Sequence, residues 1–193
     1  MKLVFATHNL NKFKEVQLLL PKHIELLSLM DIGCEEDIPE TSETIEGNAI
    51  LKAEYVRIHF GLDCFADDTG LEVKALNGAP GVYSARYAGD AKNTQANIQK
   101  LLQNLDGITD RSARFKTAIA LTLQERQHLF LGICEGVITN AERGDKGFGY
   151  DPIFQPNGYN QTFAEMPLTL KGEIGHRGKA MRELIDYLSL NNS

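Results

Sequence analysis

The chain has no tryptophan, only 3 cysteines and only 6 prolines in 193 residues. Cys34, Cys64 and Cys134 are odd in number, widely spaced and match no zinc-type spacing, so they read as reduced, structural thiols and not as a disulfide framework or a metal site. Basic residues are in the minority, 20 Lys and Arg against 26 Asp and Glu, and the net charge of -6 argues against a duplex nucleic-acid binder, which would carry a basic stripe. A nucleotide stays open as a ligand, because a few local cations and a metal are enough to hold phosphates. No apolar run approaches membrane-spanning length, and the one following Lys2 is too short for a secretory signal, so a cytoplasmic location is expected. Repeats and low-complexity tracts are also missing. What is present, 42% hydrophobic and 24% charged residues, is an ordinary globular composition suited to one domain over residues 1–193.

Lys2 to Ala6 reads as a short strand, and Phe13, Val16 and Leu20 then share one face of a helix. The loop between them, Thr7 to Lys12, lies at the carboxyl end of a strand and the amino end of a helix, where free N–H groups and the dipole favour an anion. Thr7, Asn9 and Lys12 would add a hydroxyl, an amide and a charge; a plain helix cap at Asn9 or Asn11 accounts for the same residues. His23 to Leu29 reads as a second strand and Met30 to Thr44 as an acidic connection. Asn48 to Phe60 returns to helical spacing, with Lys52 beside its apolar face.

Phe65-Ala66-Asp67-Asp68-Thr69-Gly70 reads as a buried strand ending at a turn. Adjacent carboxylates repel unless a cation or a shared proton relieves them, so the pair suggests a divalent metal with one acid free to act as base; a solvated turn is the alternative. Leu71 to Leu76 is a candidate returning strand, and the turn Asn77 to Gly81 leads to Arg86, which is either an anion contact or a surface ion-pair partner. Thr94 to Leu105 is a core-facing helix. Ala113 to Leu121 and Leu129 to Ile133 alternate as the arms of a long antiparallel hairpin, which predicts a mixed sheet.

The Gly-rich segment Gly144 to Pro152 offers Phe148 and Tyr150 as flat faces for a base, without the spacing of a dinucleotide fingerprint. Thr162 to Glu165 carries a capping-box signature, and Met181, Leu184, Ile185 and Leu188 lie on one face of a last helix. Gly178-Lys179 lacks the first glycine and the Ser or Thr of a P-loop. Ser84, His176 and Asp151 could compose a hydrolase triad, but no nucleophile elbow surrounds Ser84. A non-catalytic nucleotide sensor would use the same phosphate loop.

Ala6-Thr7-His8-Asn9 with Lys12, Glu40-Thr41, Asn48-Ala49 with Lys52, Ala66 to Gly70, Gly78 to Tyr87, Gly147 to Pro152 and His176-Arg177-Gly178 closely resemble, in order and over essentially the whole chain, the inosine triphosphate pyrophosphatase family. Gly175 stands where many relatives carry Ser, and Asn11 where many carry Gly. The resemblance implies an elongated α/β fold with a mixed β-sheet, flanking helices and two lobes around a central substrate cleft. It implies a homodimeric, Mg2+-dependent enzyme that hydrolyses ITP, dITP and XTP to the monophosphate and pyrophosphate, with no nucleic-acid or membrane partner. By the same resemblance Thr7, His8, Asn9, Leu10, Asn11 and Lys12 would hold phosphates, and Lys52 and Arg86 would be further substrate contacts. Glu40, Asp68 and Asp67 would bind the metal, Asp68 would accept the proton, and Thr69 would touch substrate. Phe148, Gly149, Tyr150, Asp151, Lys171, His176 and Arg177 would form the nucleobase side.

Overall fold

The structure, a computed structural model, describes residues 1–191. Its elements run β1 (Lys2–Phe5), α1 (Leu10–Leu19), β2 (Glu25–Leu27), α2 (Ile45–Phe60), β3 (Cys64–Val73), β4 (Pro80–Gly81) and α3 (Thr94–Asn104). They continue with β5 (Ser112–Leu123), β6 (Arg126–Ile138), β7 (Phe154–Pro156), α4 (Leu168–Ile174) and α5 (His176–Asn191). The strands hydrogen-bond in the order β2-β1-β3-β5-β6-β7, with β4 on β3, and the sheet is mixed as the alternation of strand and helix patterns predicts.

The chain forms two compact units: Met1–Asp68 with Thr117–Gly132 and the chain from Arg177 on, and Thr69–Lys116 with Ile133–His176. In the first, β1 pairs in parallel with β2 and β3, as a chain that passes through helices between strands requires. Its core joins Leu3, Phe5 and Val16 to Phe65, Ile119 and the α5 residues Met181, Leu184 and Leu188. The Phe5 and Phe65 rings stack at 4.7 Å and 7°. Each such fully buried side chain contributes about 1.5–3 kcal/mol of transfer free energy. Asn9 caps α1 and Thr44 caps α2, each by accepting from backbone N–H groups of the first turn.

In the second unit β3 pairs antiparallel with β4, and β6 with β7. Its core gathers Leu71, Val73, Ile98, Leu101, Phe115, Ile153, Phe154 and Phe163. The Arg111 guanidinium donates to the carbonyls of Leu105, Ile138 and Thr139 and so ties the end of α3 to the strands.

Three expectations change. The acidic pair does not close a strand: β3 continues through Asp67, Asp68, Thr69 and Gly70 to Val73, and the returning strand is the short β4 in place of Leu71 to Leu76. The Thr-Gly signal was misleading because a ladder tolerates an isolated glycine. The second strand shrinks to Glu25–Leu27. The Thr162 to Glu165 signature closes a turn and not a helix: the Glu165 carboxylate accepts from the Thr162 N–H, the Glu165 N–H donates to the Thr162 carbonyl, and the Thr162 hydroxyl donates to the Arg143 carbonyl. The hairpin is present, with Gln124 and Glu125 both at positive φ in the tight connection that suits a right-twisted ladder.

Candidate active site

Within the first unit, β1 delivers the chain to the loop before α1, where the Asn9 carboxamide accepts from the N–H groups of Asn11 at 3.0 Å and Lys12 at 3.1 Å. The helix-cap reading therefore holds at Asn9, and those two donors are already engaged. Asn11 is helical and its φ is not positive, so nothing at this position calls for glycine. The Thr7 hydroxyl accepts from the Asn9 N–H, the His8 ring meets the Glu36 carbonyl, and Leu10 lies exposed.

Lys12, on the first turn of α1, reaches the mid-strand acid Asp67, with Nζ 2.9 Å from Oδ1. The other Asp67 oxygen accepts from Arg177 Nε at 2.9 Å, and the Arg177 guanidinium also pairs with Glu15 of α1. Charges of alternating sign thus run Lys12, Asp67, Arg177, Glu15 and return to the helix they started from. Burial alone would raise the Asp67 pKa, but Lys12, Arg177 and Lys52 hold it well below the usual carboxylate range. Burial would likewise discharge Arg177, yet Asp67 and Glu15 keep it firmly protonated. At Lys12 burial lowers the pKa, and the neighbouring cations Lys52 and Arg177 add to the fall against the pull of Asp67.

Asp68 sits in a different environment. Its Oδ1 lies 3.8 Å from Lys52 Nζ and its Oδ2 lies 3.4 Å from the Asn48 amide nitrogen, both on α2. Lys52 also binds Glu40 at 2.7 Å, which brings the two acids to one ammonium group. Burial pushes the Asp68 carboxyl up, Lys52 and Lys12 oppose it, and Glu40 and Asp67 add to the rise. Lys52, which burial alone would discharge, is held more basic than usual by Asp68, Glu40 and Asp67.

Asp68 and Glu40 are hard oxygen donors, the type magnesium takes when a couple of carboxylates share its shell with water and phosphate oxygens. Among the described residues no group of three or more His, Cys, Asp or Glu side chains forms an all-protein cage. The donor set therefore fits a divalent cation that completes its shell with other oxygen donors. Asp67 is the less available of the three predicted acids, since both its oxygens are occupied by cations.

In the second unit Lys171 Nζ lies 2.5 Å from Asp151 Oδ2, which also accepts from the Phe148 N–H at 2.9 Å. The Lys171 ammonium stands 4.9 Å from the Phe148 ring centre and 5.6 Å from that of Phe163. His176 is buried on Phe115, with ring centres 4.5 Å apart and 20° between planes. Gly147, at φ 73°, permits the loop to cross this carboxylate: a Cβ there would fall 2.1 Å from Asp151 Oδ2. Gly149 is also left-handed, Arg86 ends a 3₁₀ turn, and Thr69 continues β3.

Tyr150 lies inward: its ring belongs to the core of the second unit and its hydroxyl donates to the Ser84 carbonyl at 2.8 Å. The triad reading fails, because the Ser84 hydroxyl donates to the Gly81 carbonyl and accepts from the Leu71 N–H, while Asp151 is paired with Lys171. Arg177, expected on the nucleobase side, is tied to Asp67 and Glu15.

Lys12, Asp67, Asp68, Lys52, Glu40 and Arg177 are thus brought together in one unit, and Phe148, Asp151, Lys171 and His176 share the other. Sequence reasoning missed Glu15, the bonding role of Asn48, and the aromatic bed of Phe115 and Phe163. The signal for Glu15 was its position one turn after Lys12.

A family model described as the Ham1 family matches residues 3–187. The chain is 67% identical over 189 residues to a dITP/XTP pyrophosphatase of Christiangramia forsetii, covering 98% of this chain and 100% of that one. A dITP/XTP pyrophosphatase of Porphyromonas gingivalis is 51% identical over 188 residues, 97% of each chain. Among solved structures, a HAM1 protein from Coxiella burnetii superposes with a TM-score of 0.90 at 39% identity, and the Staphylococcus aureus Ham1 protein with 0.89 at 38%, each comparison covering 98% of both chains. With motifs, fold and nearly full-length similarity in agreement, this chain belongs to the Ham1 family.

Proposed function

We propose that this protein hydrolyses deaminated purine nucleoside triphosphates, dITP, XTP and ITP, to the monophosphate and pyrophosphate. The observation that carries the reading is the partly buried cluster in which Asp68 and Glu40 share Lys52 beside the Lys12–Asp67 pair. Its relatives named dITP/XTP pyrophosphatases supply the substrate class.

In this reading residues 1–193 act as one pyrophosphatase domain. Lys12, Lys52 and the loop from Thr7 hold phosphate oxygens, with Arg86 and Thr69 as further substrate contacts. Asp68 orients a water molecule and takes its proton as the water oxygen attacks the phosphorus next to the sugar. The bond from that phosphorus to the bridging oxygen breaks, and pyrophosphate leaves with the oxygen. Burial favours this role, since it raises the proton affinity of Asp68. Magnesium held by Asp68 and Glu40 would neutralise charge on the phosphates. Asp67 and Arg177 keep Lys12 in place. Phe148, Asp151, Lys171 and His176 form the nucleobase side, where donors meet a 6-oxo group and the 6-amino group of adenine would leave them unpaired, at about 1–3 kcal/mol for each lost partner.

The enzyme would work in the cytoplasm as a homodimer, consistent with family resemblance; no described helix is long and apolar enough to cross a membrane. The test is a pyrophosphate-release panel with ITP, dITP, XTP, GTP, ATP and pyrimidine triphosphates, run with magnesium and with EDTA. Release confined to the deaminated purines and abolished by EDTA is the expected result. Equal release from ATP, or full activity in EDTA, would overturn it.

A further inference from the structure

We propose that Asn48 is a positioning residue that locks the Glu40 segment and Asp68 into register, and that its two unlike terminal atoms are both required. The proposal rests on the reading of Asp68 and Glu40 given above. Asn48 is 2% exposed and sits one helical turn before Lys52 on α2. Its Oδ1 accepts from the Ser42 N–H at 2.9 Å, which fixes the orientation of the amide, because a backbone N–H must face the oxygen. Nδ2 is thereby turned toward Asp68 Oδ2 at 3.4 Å. Lys52 meets the other oxygen of Asp68 and binds Glu40. One face of α2 therefore sets an amide before one Asp68 oxygen and an ammonium before the other, and it ties down the Glu40 segment both at the Glu40 carboxylate and at the Ser42 backbone. Close packing there is tight: a Cβ on Gly47 would lie 2.0 Å from the Ser42 hydroxyl.

Aspartate has the same shape but cannot satisfy both neighbours. In Asn48→Asp one oxygen would still accept from Ser42, and the other would face Asp68 oxygen to oxygen. Asn48→Ala removes both links. The expected result for Asn48→Asp is a kcat on ITP reduced roughly 10- to 100-fold with KM within about threefold, and an unchanged circular dichroism spectrum. A purely structural residue would give a lower melting temperature without that split. By NMR, Asn48→Ala should speed exchange of the Ser42 amide about tenfold while Asn48→Asp leaves it protected. Binding of Mn2+ alone, followed by electron paramagnetic resonance, should weaken about tenfold in Asn48→Ala. Wild-type kcat in Asn48→Asp, or unchanged Ser42 exchange and Mn2+ affinity in Asn48→Ala, would overturn the proposal. If the unmodified protein releases no pyrophosphate from ITP, the functional reading falls, and the exchange and Mn2+ measurements still decide the role of Asn48. If Asn48→Ala fails to fold, the isosteric Asn48→Asp carries the test.

Discussion

In the first unit buried charge is distributed: Lys12, Asp67, Arg177 and Glu15 alternate in sign, and each group in the middle has partners on both sides. In the second, Lys171 and Asp151 pair beside the rings of Phe148 and Phe163. The alternating cluster suits a polyanion, because a phosphate oxygen can share a cation that already has a fixed place. Phe163 is a core ring, whereas the half-buried Phe148 is a flat apolar face of the kind on which dispersion and a few directed donors recognise a ring. Within the first unit the two adjacent acids also differ. Asp67 is saturated with cations and stays ionised, whereas Asp68 has two looser contacts and gains proton affinity.

The largest expected effect separates those two acids. Asp68→Asn should lower turnover about 10²- to 10⁴-fold with the fold intact by circular dichroism, as removal of a general base does. Near-normal hydrolysis would take Asp68 out of the chemistry. Arg177→Ala should act mainly on stability, lowering the unfolding free energy by about 3–5 kcal/mol in urea titration, because it strips a cation from the buried Asp67 and the partly buried Glu15. An unchanged urea midpoint would break the contrast between the units.

Acid should expose the same contrast. The Asp67 carboxyl has a folded pKa below its unfolded value, so the unfolded chain binds the proton first. Its contribution to stability is full above the ordinary carboxylate range and fades as pH falls below it. Urea midpoints measured between neutral and strongly acidic pH should therefore slope less steeply in Asp67→Asn than in the unaltered protein, and parallel slopes would contradict the assignment. In the second unit, Lys171→Ala should lose ITP hydrolysis more than any residual ATP hydrolysis; equal losses would mean the pair does not read the base. The smallest effect is expected on the outward face of β6. Leu131→Gln, at a position already 40% exposed, should change stability by less than about 0.5 kcal/mol.

That last case shows what hydrophobic period reveals. Leu129, Leu131 and Ile133 announced a strand correctly, yet Leu129 and Leu131 are among the exposed large side chains and the other face carries Gly132 and Cys134 inward. Alternation identifies a ladder without saying which side is covered. The mixed sheet, the longer helices and most strands were legible for the same reason, that period is a local property, whereas the seven-residue α4 was not. The site was legible through motifs and not through physics alone. Nothing in the sequence pairs Lys12 with Asp67, or Arg177 with Glu15, since each contact is made by elements far apart along the chain. Glu15 reads as an ordinary surface acid until α5 is packed against α1. The inward direction of Tyr150 was not legible, because composition gives an aromatic ring its chemistry but not its direction.

The first unit is assembled from three stretches of chain, and its core needs Met181 and Leu184 as much as Leu3 and Phe5. Translation delivers the opening strands long before their closing helix. During synthesis Phe5 and Phe65 lack part of their covering, and Asp67 waits for a guanidinium that is added 110 residues later. A nascent chain arrested ahead of α5 would hold an unfinished apolar surface around an acid short of a cation, a natural client for chaperones and proteases.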